Sequence, residues 1–383
     1  MVNIIGEGVS MKKAIAFIVS FCAAFAAGVS LAAVSGGEDL IQDAFSDYQA
    51  PYKLGRPILA PSGEEGAFDR LAVDHPKLFW HDGRFYLSYL GFDGISYQTG
   101  LAVSDDLVSW RKLGIVFARG ESTNEWDRLG RVVSGYLRKP GFRDRPELVR
   151  RDGRYYLTYH AYPGKGYESG AAANGLAWAE RPDALKWHAF DRPILTQSPE
   201  KGRWDSGGLY SAAPCIRDGK VCLYYTAKDV LAWPWREQVG LAFAEDGTLT
   251  RWRRYEGNPV CRTGTCPFSP QFCGGVDVQW DDVRKQWVRY FMGFDRKHAR
   301  VGVSVSPDGI RWTDSPTPVI DVGGPGSLDE THAHKVASVW FKGDLYLIYC
   351  AVRPLHGEEE RRKFRTKAWN EFRCLTVARS RPW

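Results

Sequence analysis

Residues 79–89, FWHDGRFYLSY, followed at 100–110 by GLAVSDDLVSW, decide the fold because the chain repeats them. The first segment sets a charged Asp-Gly turn between two apolar runs, which is a β-hairpin pattern. The second alternates small or apolar residues with polar ones, as a strand packed between layers requires, and ends on a tryptophan. Hairpin copies stand at 149–159 (VRRDGRYYLTY), 216–225 (IRDGKVCLYY), 280–291 (WDDVRKQWVRYF) and 340–350 (WFKGDLYLIYC). The segments that follow them close on Trp187, Trp252, Trp312 and Trp383, as the first closes on Trp110. Intervals of roughly 60 to 77 residues, each holding several strands, are too long for solenoid units and suit propeller blades. The expectation is an all-β, five-bladed β-propeller.

Three closing tryptophans are followed by a short Pro-bearing strand: RPIL after Trp187, NPV after Trp252 and TPVI after Trp312. Trp383 has none, and the missing piece stands at residues 52–59 as YKLGRPIL. The N-terminal strand is therefore expected to complete the last blade, covering edges that would otherwise be open. No linker interrupts the repeats, so residues 52–383 read as one domain.

Ahead of it, Lys12 and Lys13 precede an apolar run ending in small residues, with Met11 as the start. This reads as a secretory signal peptide over 1–32, cleaved after Ala32 and followed by an extension over 33–51. The alternative is a membrane anchor, which the length just allows. Export to a secreted or periplasmic location permits disulfides. Cys350 with Cys374, and Cys261 with Cys266, are the candidate pairs. A zinc site is disfavoured, because no clustered Cys/His ligand set is present. The formal charge of +6 over 383 residues is too small an excess to point to nucleic acid, and the basic run RRKFRTK lies in a single loop.

In a propeller, function lies where the inner strands begin. Counting back from the hairpin glycines Gly83, Gly153 and Gly343 by one offset lands on Asp74, Asp144 and His334. Carboxylates gathered from separate strands are what glycosidic bond cleavage needs, one to activate water or attack the sugar and another to protonate the leaving oxygen. Asp277 is the carboxylate of the fourth inner strand and a candidate third member. Trp204 and Asp205 in GRWDSGG offer a stacking platform and a hydroxyl acceptor. Arg143, Arg145 and Glu147 surround Asp144 as candidate substrate-reading groups. The loop over 354–372 is a candidate funnel wall.

The Asp-x-Pro word at Asp74, the RDRP word at 143–146 and WDSGG with its following SAAP resemble the five-bladed propeller glycoside hydrolases, the superfamily of families 32, 43, 62, 68, 117 and 130. The resemblance spans residues 52–383. It implies Asp74 as general base or nucleophile and Asp144 as the residue that orients substrate. Families 32 and 43 take an acid glutamate from the third blade, whereas the matching strand here, GGLYSAAPCI, has no carboxylate. His334 with Lys335 instead resembles the fifth-blade His-Lys word of family 117, the exo-acting α-1,3-anhydrogalactosidases, in which a histidine is the acid. Such a histidine works if neighbouring carboxylates keep it charged. Asp329, Glu330 and His332 are the alternative acids or tuning groups.

The function expected is an exo-acting glycoside hydrolase releasing terminal sugars, such as α-1,3-linked anhydrogalactose or a pentofuranose, from an oligo- or polysaccharide. A family 130-type phosphorylase and a non-catalytic glycan-binding propeller are the alternatives. No cofactor is required by this chemistry, and a divalent cation in the funnel is a candidate ligand.

Overall fold

The computed structural model describes residues 44–230 and 234–383. The expected signal peptide and its cleavage site lie outside the described residues. No helix among the described residues is long and apolar enough to cross a membrane. The residues from Asp47 onward form one compact unit.

The chain runs as short strands joined in sequence order. After β1 (Tyr52–Lys53) come β2 (Ala72–His81), β3 (Arg84–Phe92), β4 (Tyr97–Ser104) and β5 (Arg111–Phe117), each antiparallel to the one before from β3 on. β6 (Gly130–Tyr136), β7 (Tyr155–Tyr162), β8 (Ala173–Ala179) and β9 (His188–Ala189) repeat that order. β10 (Leu209–Arg217), β11 (Lys220–Asp229), β12 (Arg236–Ala244) and β13 (Trp252–Arg254) do so again. So do β14 (Phe272–Asp281), β15 (Gln286–Phe294), β16 (Ala299–Ser306) and β17 (Thr313–Asp314). Last come β18 (His332–Phe341), β19 (Asp344–Pro354), the helix α1 (Gly357–Phe364) and β20 (Glu371–Arg379). β1 returns to this final group: Tyr52 lies opposite Arg379 on β20, and Leu59 bridges Leu375. The arrangement is a mostly β, propeller-like stack of up-and-down sheets.

Packing explains the repeat. The glycine that opens each GLA word sits beneath a pair of rings, one from the preceding strand and one from an upstream loop. A Cβ at Gly100 would lie 2.5 Å from Tyr89 and 2.6 Å from Phe68, and one at Gly175 would collide with Tyr159 and Trp126. Gly240 meets Tyr225 and Trp204 in the same way. Only a residue without a side chain allows that approach. In the last copy Cys374 stands at the glycine position and Leu328 at that of the loop aromatic. Between neighbouring groups, apolar faces close into cores such as Phe79, Leu101 and Val103 against Val133, Leu157 and Ala177.

The compact unit begins a little earlier than the expected domain. Tyr48 is fully buried, donates to Asp281 Oδ2 at 2.9 Å and packs its ring on Phe142. Residues 47–51 therefore belong to the fold and not to a free extension.

Candidate active site

Four inner strands carry the same irregularity near their start. Pairing slips between Asp74 and Lys77 on β2, Leu209 and Ala212 on β10, Gly274 and Asp277 on β14, and His334 and Ala337 on β18. At three of these bulges the extra residue has positive φ: His75 at 53°, Gly275 at 66° and Lys335 at 52°. A bulge re-aims side chains out of the ladder, and these turn into a common cavity of about 200 Å³. Tyr97, Tyr162, Tyr167, Tyr210, Trp235 and Phe294 form much of its wall, while His75, His160, His332, His334, Lys335 and Arg373 supply polar groups.

Asp74 lies just beneath this floor, fully buried. It accepts from the His75 backbone N–H at 2.6 Å, Lys335 Nζ at 2.7 Å and Arg373 Nη1 at 2.8 Å. Burial pushes its carboxyl up, but the Lys335 ammonium and the Arg373 guanidinium hold it well below the usual range. Arg373 also donates to Tyr167 Oη at 2.8 Å and pairs with Glu371 at 2.6 Å. Both floor cations are thus already neutralised by carboxylates.

The four cavity histidines are pushed toward the neutral form. Burial holds His334 and His75 well below their ordinary value, His160 at about 3 and His332 at about 4. His160 Nδ1 bonds Ser134 Oγ at 2.8 Å, and His332 Nδ1 accepts from Ala299 N at 3.0 Å. His334 Nδ1 meets only the Met292 sulfur, at 3.3 Å. Among the described residues, Nε2 of His75 and of His334 has no hydrogen-bond partner. Asp74, His334 and Cys350 also bring their ligand atoms within 4.8 Å of one another, a buried cluster capable of holding a divalent cation. Lys335 and Arg373 already provide positive charge at the same carboxylate.

The cavity contains a carboxylate that the sequence reading missed. Glu237, on β12, is buried and lines the wall with Glu168 from the loop after β7. Burial raises Glu237 to about 7, Lys228 opposing and Glu168 reinforcing the rise. Lys228 Nζ stands 3.2 Å from Glu168 and 3.8 Å from Glu237. Those two distances to one nitrogen limit the separation of the oxygens to about 7 Å, a span suited to paired-carboxylate chemistry. The repeat directs attention to the inner strands, and Glu237 is on a third strand. Its signal was the position three residues before the repeat glycine, where Tyr97 and Ala299 of other copies also line the cavity.

Other expected site residues lie elsewhere. Asp144 does not share the level of Asp74 and is exposed in the loop between β6 and β7. The gapless count assumed a tight hairpin, but here the inner strand ends at Tyr136 and an 18-residue connection carries RDRP to the opposite end of the strands. There Arg145 covers Trp80, Arg143 covers Trp340 and Phe142 N bonds Trp280 O. Arg143 is committed to Asp281 and Asp47 at 3.0 and 2.7 Å, and Glu147 to Lys139 at 2.6 Å.

Asp277 is buried along the axis, holding Arg138 at 2.5 Å and the Ser338 hydroxyl at 2.7 Å, so it braces strands below the cavity. Trp204 stacks on Tyr225 beside buried Asp205, the same aromatic-Asp pillar formed by Trp126 on Tyr159 and Asp127, and is a packing element. Asp329 joins this class, accepting from Tyr349 Oη at 2.8 Å and Lys53 at 2.7 Å. Glu330 accepts from the Gly326 backbone N–H. Within 354–372, Trp369 backs Tyr167 at 5.4 Å between ring centres, so the insertion supports the cavity wall from behind. All seven cysteines among the described residues carry free thiols, Cys350, Cys374, Cys261 and Cys266 included. Cys350 lies opposite Leu375 and Cys374 opposite Ala351, so their side chains leave opposite faces.

No protein-family model matches the chain. No curated protein matches it either. Solved structures do. One described as a complex of BT0996 with RGII superposes with a TM-score of 0.74 at 23% identity, over 90% of this protein and 96% of that one. Zg3597, a family 117 glycoside hydrolase from the marine bacterium Zobellia galactanivorans, gives 0.57 at 14% identity, over 82% and 87%. A structure from work on the GH130 mannoside phosphorylases and hydrolases gives 0.57 at 16%, over 86% and 94%. The chain shares its propeller-like fold with these solved structures, among them glycoside hydrolases of families 43 and 117.

Proposed function

We propose that this protein is an exo-acting glycoside hydrolase that removes a terminal sugar from an oligo- or polysaccharide, on a scaffold of five four-stranded blades with β1 completing the last. The observation that carries the reading is Glu237, a cavity carboxylate whose proton is held to about pH 7 beside a second carboxylate, Glu168. A glycosidase needs one carboxyl that keeps its proton and one that does not. Glu237 donates the proton to the leaving oxygen. Glu168 serves as base or nucleophile, and Lys228 holds the two in register. The neutral Nε2 atoms of His75 and His334 meet sugar hydroxyls, and the Trp235 and Phe294 rings support the sugar face. Asp74 acts from beneath by fixing Lys335 and Arg373. A cavity of about 200 Å³ suits one ring at a chain end, which favours exo action.

The test is a panel of oligosaccharides labelled at the reducing end. Release of single sugars from the other end without added phosphate, lost in Glu237→Gln, supports the reading. A strict phosphate requirement would make the enzyme a phosphorylase. Binding without cleavage across the panel would leave a glycan-binding propeller.

A further inference from the structure

Outside the cavity, one pair of side chains is placed for chemistry that nothing else in the fold explains. Cys215 on β10 and Cys222 on β11 are directly opposed in the antiparallel register, two pairs from a turn at Asp218 and Gly219 whose φ values, 50° and 74°, are both positive. Such a two-residue turn fixes register. Directly opposed antiparallel residues have Cα atoms about 4.5–5.5 Å apart, inside the range a disulfide spans. Their Sγ atoms face each other at 2.7 Å, with both residues buried. Cys350 and Cys374, by contrast, are on adjacent strands but opposite faces.

We propose that Cys215 and Cys222 form a cross-strand disulfide. The bond ties together the two strands that bring Tyr210, Ser211 and Thr226 to the cavity and Lys228 to Glu168 and Glu237. Burial and the neighbouring thiol raise Cys215 well above the ordinary thiol range, so the bond forms while the hairpin is still open during folding. The oxidant is a small disulfide such as oxidised glutathione. The Cys215 thiolate attacks one of its sulfurs and expels a glutathione thiolate. Cys222 sulfur then displaces the second glutathione. Two protein thiols become one disulfide, one oxidised glutathione becomes two reduced, and the two thiol protons pass to them.

The full chain is refolded from the reduced state in a glutathione redox buffer, alkylated under denaturing conditions and digested with trypsin without reduction. Cleavage at Arg217 and Lys220 separates the two cysteines, so the bond appears as peptide 204–217 linked to peptide 221–228 and lost on reduction. Alkylated Cys350 and Cys374 serve as internal controls. Recovery of alkylated Cys215 and Cys222 from the folded protein overturns the proposal. As a second reading, dithiothreitol should lower the wild-type Tm by about 2–5 °C and leave a Cys215→Ala/Cys222→Ala protein unmoved. An unchanged wild-type Tm counts against the bond, and if the double variant does not fold the peptide map alone decides.

Discussion

The two ends of the inner strands use similar residues to opposite effect. At the far end, Tyr48, Phe142, Arg143 and Asp281 saturate one another: Asp281 accepts from Tyr48 at 2.9 Å, from Arg143 at 3.0 Å and from the Val283 backbone at 3.0 Å. At the near end, the Nε2 atoms of His75 and His334 and the hydroxyls of Ser211 and Tyr97 are buried without hydrogen-bond partners among the described residues. An unsatisfied buried polar atom costs roughly 1–3 kcal/mol. A fold keeps several in one cavity when a ligand completes them. Carboxylates and arginines alone therefore do not mark a site; several unpartnered atoms gathered on one cavity do, whereas single ones such as Trp340 Nε1 also occur at the far end.

The largest effect that would test this contrast is at Asp74. Asp74→Asn leaves Lys335 and Arg373 buried with less compensation, and loss of a buried pair costs about 3–5 kcal/mol. A fall in Tm together with activity is expected, by calorimetry and assay. An undiminished Tm would mean that Asp74 is not the anchor of the floor.

The next effect is a pH limb. With Glu237 raised to about 7, the proton-bearing form predominates below that value, so kcat/KM should fall about tenfold per pH unit above it. Glu168 helps raise Glu237, so Glu168→Gln should move the limb to lower pH in whatever activity remains. Lys228 opposes the rise, so Lys228→Met should move it up. A limb that stays in place in both variants belongs to another group.

The smallest effect concerns the plugged end. Arg143→Ala removes one partner of buried Asp281 and leaves Tyr48 and the backbone donors, so a stability loss of about 1–3 kcal/mol is expected, with kcat unchanged. A marked drop in kcat would return this end of the molecule to the substrate.

The strand pattern was legible in the sequence because hairpin turns and alternation are local. So was the return of residues 52–59 to the C-terminal strand, since a Pro-bearing strand was missing after Trp383. The level of Asp74, His334 and Lys335 also followed, because β2 and β18 share the same bulge and the same short hairpin. Asp144 failed for a physical reason. An identical residue count places two side chains alike only when no loop has been inserted, and the 18-residue connection after β6 keeps the count while moving the residue to the other end. Glu237 was hidden by the choice of strand. Charge on His334 was misjudged because the carboxylates expected to tune it are engaged elsewhere, Asp329 with Tyr349 and Lys53 and Glu330 with the Gly326 backbone, and Asp74 is paired with Lys335 and Arg373, so burial dominates.

The bulges bear on how this protein would respond to selection for stability. A side chain held at positive φ costs about 1 kcal/mol or more relative to glycine. Gly275 is free of that strain, whereas His75 and Lys335 carry it at φ 53° and 52°. At Lys335 the buried ion pair with Asp74 outweighs that strain, so selection for heat resistance alone should favour glycine first at His75, whose Nε2 has no hydrogen-bond partner among the described residues. That gain would remove an imidazole from the cavity, so thermostability and turnover compete at this residue.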